Sequence, residues 1–198
     1  MRRDWRDSVR TAADLAVLGF VVTAAGLPVL TAGAAVGTAS EAVRHFLAYD
    51  SWPPAAVVRA TFRRRLVPGL WAGPAVLAAA ALVALDLAGL RRGLVPGGSL
   101  ILTVVLIAAG LAAGWAALVA VLTGLGTPGA PRAATALASA RPSLLLAAAG
   151  VVLVAALLAF LVHPVLIPIL AGFVLFALHA VAARFQPPAH QPEPDTVG

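Results

Sequence analysis

The chain has 198 residues, of which 61% are hydrophobic and only 11% charged, and its mean hydropathy is +0.97. A soluble globular domain carries about 25% charged residues, so the composition excludes that class and points to a membrane protein. There is no cysteine, which excludes disulfides and thiolate chemistry. All fourteen basic side chains are arginines lying almost wholly outside the apolar runs, where they serve topology and head-group contact; no soluble basic module is present to bind nucleic acid.

Residues 2 to 14 read as a short interfacial helix, with Trp5, Val9 and Ala13 at helical spacing and the arginines on the other faces. Asp14 suits the amino end of the next segment, where a helix dipole favours negative charge. An apolar run then spans residues 15–39. It is too long for the core of a cleaved signal peptide, and Asp4, Asp7 and Asp14 dilute its basic flank.

Residues 41–66 turn polar and basic. After "SWPP", Ala55, Val58, Phe62 and Leu66 share one helical face and Arg59, Arg63 and Arg64 lie elsewhere, so the segment is amphipathic and suits an anionic surface. Phe46, Tyr49, Trp52 and Trp71 fit an aromatic belt at one depth. Further apolar segments follow at 68–90, 100–125, 144–162 and 164–183. Ser99 reads as a helix cap, "GTPGAP" closes the third segment, and "VHPVLIP" is a turn, because one helix across 144–183 would be about 60 Å long. The proline-rich tail 186–198 is expected to be disordered, leaving 1–185 as a single membrane domain.

The break "GLPVLTAG" at 26–33 decides the topology. Pro28 removes a helix hydrogen bond, and two arrangements satisfy it: one kinked crossing, or two arms of about 18 Å that enter and leave on the same side. With one crossing the arginines divide six against eight between the two sides. With a hairpin they divide twelve against two, only Arg91 and Arg92 lying opposite the rest. The positive-inside tendency favours the hairpin and puts both termini in the cytoplasm. Gly26 and Gly33 allow close helix approach, Thr31 or Thr23 can serve freed carbonyls, and Gly33 with Gly37, Gly69 with Gly73 and Gly110 with Gly114 form small-residue pairs suited to packing.

The chemistry of catalysis is hard to assemble from this sequence. There is no lysine for a phosphate loop, no G-x-S-x-G turn and no paired-histidine zinc spacing among His45, His163, His179 and His190. Asp86, the carboxylate inside an apolar run, lies close to Arg91 and Arg92 and reads as interfacial. Polar side chains in the later segments are too few to line a solute pathway within one chain, although an oligomer could build one.

The order of "LPVLTAGAA" at 27–35, "VVRATFRRRLVPGLW" at 57–71 and alternating apolar helices resembles the YesL-like family of bacterial membrane proteins, a family of unknown function. The resemblance implies a small polytopic protein of the bacterial inner membrane with an auxiliary role beside carbohydrate uptake. The expectation is therefore an all-α polytopic bundle of four full spans plus the proline-broken first segment, non-catalytic and without cofactors. Its packing residues are Gly26, Pro28, Thr31 and Gly33, and its lipid or partner contacts are Arg59, Phe62, Arg63, Arg64 and Arg65. The partners are anionic lipid head groups and a transport complex or a second copy. The alternative is a small-solute transporter or channel subunit acting as an oligomer.

Overall fold

A computed structural model describes residues 5–92 and 98–185. It is all-helical: α1 (Trp5–Gly26), α2 (Ala32–Tyr49), α3 (Ala55–Gly69), α4 (Ala72–Arg91), α5 (Gly98–Gly124), α6 (Ala130–Ala140), α7 (Pro142–Leu161) and α8 (Ile167–Phe185), with short 3₁₀ turns at Val29–Thr31 and Pro164–Leu166. Within α1, α4, α5, α7 and α8 lie five stretches long and apolar enough to cross a bilayer, so this is a multi-pass membrane protein.

The first apolar segment is a helical hairpin. Gly26 ends α1, Pro28 opens the turn, and the Thr31 hydroxyl shares its proton between the Ala25 and Pro28 carbonyls at 2.5 and 2.8 Å. At the open end of the hairpin the Trp52 indole donates to the Asp14 carboxylate at 3.2 Å. The arms are longer than the sequence suggested, because both helices continue through polar residues. α1 has 22 residues and α2 has 18, or about 33 and 27 Å of helix. Residues 5–14 are consequently the first turns of α1 and form no separate helix, and Asp14 sits in the interior of α1 at no helix end. The first segment thus contributes a span-length helix of its own, where the sequence suggested only a broken one.

The stretch 41–66 divides between two helices. α2 runs on to Tyr49 and ends where Asp50 takes a left-handed conformation (φ 52°), its amide capping the Phe46 carbonyl. Asp tolerates that backbone better than most residues, and two prolines then prevent resumption. α3 turns back along α2, placing Gly69 against Gly33 and Arg65 against Gly37. Trp52 stacks on Phe46 with ring centroids 4.7 Å apart, but Trp71 lies beyond the opposite end of α3, about 22 Å of helix away. The four aromatics do not form one cluster.

α6 is a helix inside what the sequence presented as a loop. Gly129 (φ 64°) opens it, Pro131 fits its first turn, and Trp115 on α5 donates to the Thr135 hydroxyl at 3.1 Å. Ser99 lies within the first turn of α5, where its carbonyl accepts from Thr103; it does not cap the helix. His163 occupies the turn between α7 and α8, as its position suggested, and accepts from the Val165 amide. Residues 93–97 and 186–198, His190 among them, lie outside the described residues.

Glycine sets the closest approaches. A Cβ on Gly19 would strike the Pro168 carbonyl and one on Gly172 the Leu15 carbonyl, so α1 and α8 pack backbone to backbone. Gly69, Gly73 and Gly114 are likewise tight against neighbouring backbone. Gly110 has open space where its Cβ would go, and a Cβ on Gly26 would make only ordinary contact with Ala32. Gly26 and Gly110 therefore carry no packing demand, whereas Gly19 and Gly172, which the sequence reading passed over, do.

Candidate functional site

Helix ends leave carbonyls without intrahelical partners, and in lipid such groups must be satisfied by protein. At the carboxyl end of α5 the amides of Leu125, Thr127 and Gly126 return to the Val121, Leu122 and Thr123 carbonyls, and side chains of α2 and α3 add further donors. The Ser40 hydroxyl contacts the Ala120 carbonyl at 2.8 Å, Arg44 Nε donates to the Gly124 carbonyl at 3.1 Å, and Arg65 donates to the Thr123 carbonyl at 3.0 Å. Cations are favoured at this pole of a helix dipole. Gly124 is needed beside them, since a Cβ there would collide with the Ser40 hydroxyl.

Glu41 supplies the countercharge. Its carboxylate lies 2.7 Å from Arg65 and 3.8 Å from Arg64, and the Arg65 side chain is only 16% exposed while that of Arg64 is 73% exposed. The Arg65 pair is a charge-assisted hydrogen bond in a shielded site, and the Arg64 contact is peripheral. Beside it His179 on α8, 5% exposed, places Nε2 at 3.2 Å from Ser40 and Nδ1 at 2.9 Å from the Leu175 carbonyl. With Nδ1 donating to Leu175, Nε2 is an acceptor, and the single Ser40 proton serves both the ring and Ala120. Four helices, α2, α3, α5 and α8, are thereby joined through side chains from 40 to 179.

The sequence-selected residues scatter around this junction. Pro28 and Thr31 shape the hairpin turn, and Gly33 is packed against Gly69 and Ala72. Phe62 is half-buried against the cluster formed by Val22, Ala35, Ala39, Val43 and Leu175. Arg59, Arg63 and Arg64 are exposed. Arg65 departs from its expected surface role: one turn beyond Thr61 it points inward, because Glu41 and the α5 carbonyls offer it partners that water would otherwise supply.

Sequence reasoning missed Ser40, Glu41, Arg44 and His179 as a group. A faint signal existed, since Ser40 and Glu41 end the first uncharged run, but their partners lie 24 to 139 residues away. Among the described residues, no cluster of three His, Asp or Glu side chains is arranged to hold a metal.

No protein-family model matches the sequence, and comparison with curated proteins and with solved structures yields no match. The YesL-like resemblance accordingly rests on the motif residues alone.

Proposed function

We propose that this chain is an accessory or scaffold component of the bacterial inner membrane, without catalytic activity, that holds a partner through its outer helices. One observation supports the reading above others: the buried Ser40 and His179 engage backbone carbonyls and each other, and the shielded Arg65 engages Glu41 and the Thr123 carbonyl. Polar side chains committed to internal capping serve the fold. Meanwhile α4 and much of α7 present large apolar side chains outward, including Leu82, Leu85, Leu153 and Phe160. That surface suits lipid or partner helices. Following the family resemblance, we place the partner among carbohydrate-uptake complexes.

The arginine distribution argues that Asp50 and His190 face the cytoplasm and Leu94 faces outside. Single-cysteine variants Asp50→Cys, Leu94→Cys and His190→Cys, labelled with an impermeant maleimide on intact cells, test this. Labelling at Leu94→Cys alone is expected, and labelling at Asp50→Cys reverses the assignment.

Purification from native membranes in mild detergent tests the role. Recovery of transporter subunits with the tagged chain is expected, and recovery of the chain alone argues against the proposal. Solute flux in liposomes holding only this protein would establish instead the alternative, a transporter or channel subunit.

A further inference from the structure

A groove of about 560 Å³ runs between α1, α2 and α3, within the roughly 300–1,000 Å³ typical of small-molecule sites. Its length is mostly apolar, lined by Leu18, Val21, Val22, Ala35, Val58 and Phe62 with the Thr38 hydroxyl among them, and Asp14, Trp52 and Arg59 form its polar end. One wall is α1, whose residues Val9–Gly26 are apolar enough to cross a bilayer, so the groove lies on a surface that acyl chains reach.

The polar end is unevenly committed. The Asp14 carboxylate already accepts the Trp52 indole N–H. On the next helix, Glu41 holds Arg64 and Arg65. Arg59, and Arg63 one turn further along α3, are exposed and enter no ion pair among the described residues. An amphipathic slot with a free guanidinium at one end matches an occupant that has an apolar tail and an anionic head.

We infer that this groove binds one acyl chain of an anionic phospholipid, with the phosphate against Arg59 and Arg63. Arginine suits that task, because its planar fork meets two phosphate oxygens and it is less strongly hydrated than an ammonium group. The tail supplies most of the binding free energy and the head supplies the preference. The site stands independently of the accessory role, since it needs only a bilayer.

The test is native mass spectrometry of the full-length protein released from detergent after incubation with phosphatidylglycerol or phosphatidylcholine of identical chains. Wild type is expected to retain phosphatidylglycerol at least five-fold more than phosphatidylcholine. Arg59→Gln, a change at an exposed residue, should reduce that preference to near unity while leaving some binding of both lipids. Val58→Trp, which fills the groove, should remove retention of both, whereas Arg132→Gln, at an exposed position of α6, should alter neither. Equal retention of the two lipids by wild type, an unchanged preference in Arg59→Gln, or undiminished binding in Val58→Trp would each overturn the assignment. Circular dichroism of each variant shows that the helices persist, so that lost binding is read as a lost site.

Discussion

α2 and α4 are similar in length, at 18 and 20 residues, and both are rich in alanine, yet they occupy opposite environments. α2 carries Glu41, Arg44 and His45 and is nevertheless the central post, burying Ala34, Ala35, Gly37, Thr38, Ala39, Ser40, Ala42 and Val43. α4 is far more apolar, and only 6% of its span is buried. In water the greasier helix would be the buried one. In a bilayer an apolar side chain gains nothing by leaving lipid, so the interior goes instead to small residues that pack closely and to polar groups needing partners.

The sharpest way to break that comparison is to remove the charge α2 contributes. Glu41→Ala leaves the shielded Arg65 without its carboxylate, and we expect a loss of about 2–3 kcal/mol, below the cost for a fully buried pair because Glu41 is partly exposed. Unfolding by sodium dodecyl sulfate from mixed micelles, followed by circular dichroism, measures it. In the double variant Glu41→Ala, Arg65→Ala, the loss should be smaller than the sum of the single losses. Next comes Gly33→Ala, whose new methyl would meet the Gly69 carbonyl and the Ala72 side chain. Overpacking of this kind costs about 1–3 kcal/mol, and the same titration should register it.

Ser40→Ala is the milder probe, deleting the contacts to Ala120 and His179 at an expected cost of about 1 kcal/mol. The smallest effect belongs to α4. Leu82, at 64% exposed, should change stability by less than about 0.5 kcal/mol when replaced by alanine. A large loss at Leu82 would mean that α4 is covered by another protein surface in the measured sample, and cross-linking would then reveal an oligomer.

The residues that report most directly on the sequence are those whose role is local. Pro28 cannot donate to a helix, Thr31 can satisfy a carbonyl three residues back, and the arginine count favours an even return, so the break was readable before any coordinates and the hairpin was the preferred of two arrangements. The span-length stretches of the four later apolar helices follow from length and hydropathy in the same way. α6 escaped because its buried face is built mainly from alanine (Ala130, Ala134) and its flanks from glycine and proline, which resemble a loop by composition.

The sequence alone determined that this is a helical membrane protein whose first apolar run breaks at Pro28, because bilayer thickness and proline geometry act on a few neighbouring residues at a time. Only the tertiary structure decided that Arg65 turns inward, that Gly19 meets Gly172 and that Ser40 joins His179. Those choices depend on which carbonyls and carboxylates a distant helix presents and where two backbones meet, and neither is encoded in any single stretch of chain.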